Sequence, residues 1–209
     1  IEPHDTLVEV GDALRRVNTI LVDLAQDMWR YISDNIFGQA AVAGEVGSST
    51  MPHKVNPIDF ENAEGNLLLA NALLEFFGRK LPISRLQRDL SDSTVLRNLG
   101  VAFGHSLFAY RRLLRGLRKL AFNAEHAAAE LRDHPEVLTE AIQTILRRER
   151  YPEPYEAMKK LARGRQITLA DLHEFVGQLD VAAEVREELL ALRPETYVGL
   201  AGKLARRKD

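Results

Sequence analysis

The stretch "GEVGSSTMPHKVNP", Gly44 to Pro57, gathers the residues best suited to chemistry. It holds two glycines, three consecutive hydroxyls (Ser48, Ser49 and Thr50), then Lys54 and Asn56. Gly44 and Gly47 permit backbone torsions that other residues resist, so the chain's N–H groups can come close to a ligand. The stretch runs into a helix start, where unpaired N–H groups and the helix dipole favour anions. A cation, an amide and a helix terminus together suit a carboxylate, or negative charge developing on one. A solvated Gly/Ser linker is the plainer reading. The Met-Pro and Asn-Pro pairs, and the apolar helix behind them, weigh against it.

Two further clusters follow. "IDFENAEGN" places Glu61, Asn62 and Asn66 on an otherwise apolar helix, and a polar strip there must face partners or a site. Asn62 is the candidate for substrate contact, and Asn66 reads as a structural hydrogen bonder. Glu61 on its own reads equally as a buried helix Glu satisfied by an Arg. In "RLQRDLSDSTVLR", Ser93 and Thr94 lie at a helix start, with Arg97 one turn on and Arg88 just before. Hydroxyls, helix N–H groups and two guanidiniums form a plausible phosphate site. An Asp-capped helix with surface arginines fits the same residues. Arg85 reads as surface. His105 reads as a satisfied core residue, and His4, His126, His134 and His173 as solvated. None is spaced for a metal site.

Helices must position these groups. From Thr6 to Ile32, Leu7, Val10, Leu14, Val17, Ile20, Leu21, Leu24 and Met28 recur at three- and four-residue steps. Asn56 as a cap, Pro57 as first residue and Asp59 in the first turn open the next helix, Ile58 to Phe77, which Gly78 and Pro82 should stop. It is apolar nearly all round, so it should be buried in a bundle. A long helix is expected from about Ser93 to Phe122, roughly 45 Å at 1.5 Å per residue. After Phe122 the segments are shorter and more charged, and five small amphipathic helices are expected. The expected fold is therefore all-α and without strands, with a long-helix bundle segment over 1–122 and a small helical domain over 123–209.

Composition sets outer limits. The chain has 209 residues, 45% apolar and 28% charged, ordinary for a soluble globular protein. A net charge of −2 does not suggest a nucleic-acid partner. With no cysteine there is no disulfide, thiolate metal site or Cys nucleophile. No apolar run approaches the roughly 20 residues of a membrane span, and no signal peptide is present, so the cytoplasm is the expected compartment. The chain begins at Ile1 inside an amphipathic pattern, which reads as a piece of a longer protein.

"GSSTMPHKVNP" resembles the signature of the fumarase/aspartase superfamily, Ser-Ser-x-Met-Pro-x-Lys-x-Asn, and matches it completely. Within that superfamily, "MPHKVNPIDFENAEGN" with "RDLSDSTVLRN" resembles the bacterial adenylosuccinate lyases, over the whole chain but only their C-terminal part. The resemblance implies C–N cleavage by β-elimination with release of fumarate. Ser48 would be the base, with Ser49 the runner-up or a ligand of the substrate carboxylate. Lys54 would support the Ser48 alkoxide and, with Asn56, hold the succinyl carboxylates. Glu61 would orient the histidines on the acid side of the site. The segment 44–56 would be a lid, exposed and mobile without ligand over Gly44 to Met51. Arg88, Ser93, Thr94 and Arg97 would bind a nucleotide phosphate.

The resemblance implies no metal or organic cofactor. The helices would join a homotetramer whose active sites combine three subunits. The family's general-acid histidine is absent from these residues, so the isolated chain is expected to be inactive without the N-terminal part of the same protein. Two other readings remain: another fumarate-releasing lyase of the superfamily, or a structural assembly piece.

Overall fold

A computed structural model of the chain describes residues 2–40, 56–162 and 167–207, with the side chains of residues 160–162 left aside. The chain divides into two compact units, Ile1–Asn123 and Ala124–Asp209.

The first unit is built on three long helices: α1 (Asp5–Ser33), α2 (Ile58–Lys80) and α4 (Leu99–Arg118). Helix α2 packs against both others. Contacts between α1 and α2 run from Gly78 beside Val8 at one end to Trp29 beside Glu61 at the other, so these two helices are antiparallel. Helix α4 is likewise antiparallel to α2, with Lys119 just past its end reaching Asp59. Small buried residues at the contacts, Ala25, Ala63, Ala70, Ala102 and Ala109, let the helices approach closely. Between them lie Phe60, Leu67, Leu74, Phe77, Leu81 and Leu113, all nearly inaccessible.

One polar knot crosses this core. Asn18, fully buried, donates from Nδ2 to Ser106 Oγ at 3.0 Å and accepts from the Tyr110 hydroxyl. Ser106 in turn donates to Ala102 O. A satisfied buried amide of this kind fixes the register of α1 on α4, because sliding either helix would leave it unpaired.

Several sequence expectations give way here. The helix expected over Ser93 to Phe122 is two helices and a strand: α3 (Ser91–Leu96), α4, and β2 (Leu120–Phe122). The break falls at Arg97 and Asn98, where Asn98 turns back, its N–H to Val95 O and its side chain to Thr94 O at 3.1 Å. Two strands exist although none was expected. β1 (Phe37–Gln39) pairs antiparallel with β2, Phe37 opposite Phe122 and Gln39 opposite Leu120. The Phe37 and Phe122 rings stack obliquely at 5.7 Å. Helix α2 does not stop at Gly78 but continues to Lys80, with the Leu81 N–H still bonded to Phe77 O. Pro57, not Asn56, occupies its cap position, and no side chain caps it. Its outer face is not buried within this chain, since Leu68, Leu69 and Phe76 are exposed.

The second unit contains α5 (Ala124–Asp133), α6 (Leu138–Arg148), α7 (Pro154–Ala162), α8 (Leu169–Gly177), α9 (Ala183–Ala191) and α10 (Ala201–Ala205). Helix α5 adds to the five that the sequence suggested. Leu138, Ile142, Leu146, Leu172, Val176, Leu179 and Leu189 form the unit's own core. Thr168 and Asp171 make a reciprocal capping box that starts α8, each side chain bonding the other's backbone N–H. No helix among the described residues is long and apolar enough to cross a membrane.

Candidate active site

Ser48, Ser49 and Lys54, and the lid expected over Gly44 to Met51, lie outside the described residues. The chain is described again from Asn56, half-buried, immediately before α2.

The first turns of α2 spread their polar groups over two neighbours. Glu61 is exposed and accepts from Trp29 Nε1 of α1 at 3.0 Å. Its plainer sequence reading required burial and an arginine partner; it is exposed, and among the described residues no arginine pairs with it. One turn further, Glu64 accepts from Gln26 of α1 at 2.9 Å. Asn66 turns toward α4, and Asn62 is exposed one turn before it. The Asn66 amide nitrogen donates to Asn62 O at 2.8 Å and more weakly to Asn62 Oδ1 at 3.3 Å. That commitment leaves the Asn66 oxygen to accept from His105 Nδ1 at 2.7 Å, so Nδ1 carries the hydrogen. His105 is therefore a bonded, half-buried residue, and the Asn62 amide oxygen is oriented from behind.

Asp59 was read only as a first-turn acid, and the structure makes it the most constrained charge of this end. It is 4% exposed. Lys119 Nζ bonds its Oδ2 at 2.7 Å, Arg112 its Oδ1 at 3.3 Å, and Arg115 Nε lies 3.7 Å away. The antiparallel packing brings the positive start of α2 beside the negative end of α4, so the acid and the cations each meet a favourable dipole. Phe60 locks the same junction, because its ring fills the space above Gly116, where an added Cβ would lie 2.8 Å from Cζ.

The second cluster sits at the other end of α2. A tight turn over Arg85–Gln87 precedes it, with Leu86 and Gln87 both in the left-handed region. Asp89 stitches the turn: it accepts from Arg85 Nε at 3.0 Å and from the Ser91 N–H at 2.8 Å, and its own N–H donates to Ser84 Oγ. The Arg85 hydrogen bond, helped by Ser91, holds the Asp89 carboxyl well below the usual carboxylate range. Arg85, expected as plain surface, is thus the partner of a structural acid. Ser93 spends its hydroxyl on Leu90 O at 3.0 Å. Arg88, Thr94 and Arg97 are exposed, and among the described residues neither arginine has an acidic partner. His4, expected to be solvated, is half-buried with Nε2 3.2 Å from Asp92 Oδ2.

So Glu61 and Asn62 lie near the start of α2, Arg88, Ser93, Thr94 and Arg97 follow its end, and between Asn62 and Lys80 the helix rises about 27 Å at 1.5 Å per residue. No local pattern marks Trp29, Arg112 or Lys119, whose roles depend on residues 32 to 60 positions away.

Residues 84–198 match the family model described as adenylosuccinate lyase C-terminal, and residues 1–71 match the one described as lyase. The first covers more than half of the chain. The chain belongs to the adenylosuccinate lyase family. An adenylosuccinate lyase of Haemophilus influenzae is 53% identical over 207 residues, 99% of this chain and 45% of the relative. One of Legionella pneumophila (strain Corby) is 54% identical over 206 residues, with the same shares covered. That of Escherichia coli (strain K12) is 51% identical over 201 residues, 96% of this chain and 44% of the relative. The chain thus spans somewhat under half the length of these relatives, in their C-terminal portion. Its all-α architecture agrees with the superfamily.

Proposed function

We propose that the protein carrying this chain splits adenylosuccinate into AMP and fumarate, and succinylaminoimidazole carboxamide ribotide into aminoimidazole carboxamide ribotide and fumarate, in cytoplasmic purine biosynthesis. One observation carries the reading: the complete run Ser48-Ser49-x-Met51-Pro52-x-Lys54-x-Asn56 leads directly into α2 in a chain more than half identical to several adenylosuccinate lyases.

In this reading Ser48 takes the proton from the carbon beside a carboxylate. The released electron pair forms the carbon–carbon double bond as the C–N bond breaks, and an acid outside these residues delivers a proton to the leaving nitrogen. Serine is a weak base in water, so its alkoxide needs nearby N–H groups and Lys54. Lys54, Asn56 and Ser49 hold the succinyl carboxylates, Asn62 contacts the substrate, and Glu61 orients the acid side. Arg88, Thr94 and Arg97 take the phosphate, joined by Ser93 once its hydroxyl turns from Leu90 O to the anion.

The length of α2 that lies between the two clusters exceeds a nucleotide, which argues against one copy presenting both to one substrate. This supports a site assembled from several copies, as in a homotetramer. Exposed apolar side chains on the long helices, Ile20, Leu68, Leu69, Phe103, Leu107 and Leu114 among them, offer faces for such copies to cover.

The test is fumarate release by the full-length protein. Wild type should turn over adenylosuccinate, and Ser48→Ala should lose several orders of magnitude in kcat with substrate binding little changed. Wild-type-like turnover by the variant removes Ser48 from the role of base.

A further inference from the structure

Lys119 touches the chain on both sides of the segment 41–55. Its backbone carbonyl accepts the N–H of Ala40 at 2.9 Å, the last described residue before that segment. Its ammonium bonds Asp59 at 2.7 Å, four residues after the segment ends. The residue stands at the joint between α4 and β2, so its backbone belongs to the ribbon that delivers the chain to Ala40. Its side chain reaches back to the start of α2. We infer that Lys119 and Asp59 form a clasp that fixes the two ends of the signature segment relative to each other, making Lys119 a positioning residue for the proposed elimination.

The energetics favour this over a role in stability alone. Asp59 is 4% exposed and the Lys119 side chain 11%. Removing both charges from water costs about as much as their attraction returns, and an apolar pair of the same volume would serve a helix junction as well. A directional contact serves where geometry matters. The Phe60 ring over Gly116 holds the adjacent residue to α4 by shape, so the clasp has a rigid seat. Reaching the reactive geometry within a fraction of an ångström is what such supporting contacts provide, and displacement of about 1 Å can cost on the order of a hundredfold in rate.

The inference rests on the proposed function for its kinetic consequence but not for its structural one, and the experiment separates them. In the full-length protein, Lys119→Met leaves Asp59 its Arg112 and Arg115 contacts. Amide hydrogen exchange should accelerate at least tenfold in peptides covering 41–55 and stay unchanged in α1 and in the rest of α4. In parallel, kcat for fumarate release should fall at least tenfold while KM moves less than threefold. Lys119→Arg, which keeps a cation, should recover most of both. Should Lys119→Met not fold, the isosteric Asp59→Asn carries the same readouts. Unchanged exchange over 41–55, or exchange raised evenly across the first unit, overturns the clasp. A wild-type protein that releases no fumarate overturns the functional reading, while the exchange result still decides the clasp.

Discussion

At the Ile58 end of α2, one carboxylate is buried among an ammonium and two guanidiniums, with an aromatic ring wedged over a glycine beside it. At the Lys80 end, Arg88 and Arg97 extend into solvent, and the nearby acids Asp89 and Asp92 are engaged by Arg85 and His4. The first end fully engages its one buried acid, with three cations around it. The second offers positive charge that nothing described in this chain neutralises. A buried, satisfied cluster serves geometry, whereas exposed unpaired guanidiniums cost little to keep and remain available to an anion supplied from outside. The two ends therefore serve different purposes: one holds the chain that carries the signature, the other is open for a phosphate.

Removing the acid of the first end should have the largest effect on stability. Asp59→Ala would leave three cations converging on an empty, buried position. Loss of one partner from a buried pair costs about 3–5 kcal/mol. Chemical denaturation of the full-length protein should show a loss of that size. A loss below about 1 kcal/mol, the scale of exposed pairs, would mean that water reaches the cluster and that the two ends do not differ in kind.

The second end should respond the other way, in binding rather than in stability. Arg88→Leu or Arg97→Leu should weaken AMP binding to the full-length protein by about 2–4 kcal/mol, as for a lost charge-assisted contact. Stability should move by no more than about 0.5 kcal/mol, as for exposed sites without structural partners. Unchanged AMP affinity, measured by calorimetry, would return these arginines to ordinary surface.

What the sequence disclosed follows the range of each interaction. Helical periodicity is local, and α1 and α2 appear close to where Leu7 to Met28 and Ile58 to Phe77 place them. The strands were invisible because three residues are too few for an alternation to show, and each is a strand only through a partner more than 80 positions away. The break at Arg97 and Asn98 replaces part of a helix whose apolar spacing continues through it, and a single side-chain bond to Thr94 O marks it. The residue types of the signature were legible because they are contiguous. Asp59 was not, because its meaning lies in Lys119 and Arg112, on an element that the sequence does not show to be adjacent. His105 could be read as satisfied, but its partner Asn66 could not be named from spacing.

The smallest expected effect concerns the acid beside the open end, and it tests whether that end is structurally modest. Arg85 and the Ser91 N–H both favour the charged form of Asp89, so its folded pKa lies below its unfolded one. The sign follows from proton uptake. Above the ordinary carboxylate value, about 4, Asp89 is ionised whether the chain is folded or not, and its contacts contribute fully. As pH falls below that value the unfolded chain takes up the proton first, which stabilises the unfolded state. The contribution is therefore present at neutral pH and fades toward the depressed folded pKa. Asp89→Asn removes this dependence. Wild type should melt slightly above the variant at pH 7, and the gap should narrow steadily from pH 4 toward pH 2. Because Arg85 is exposed, the gap should also shrink in high salt, unlike the loss at Asp59. A gap that holds constant through the acid range would mean that Asp89 acts through shape and its backbone contacts. The turn before Arg88 would then be held without electrostatics, and the contrast between the two ends would rest on Asp59 alone.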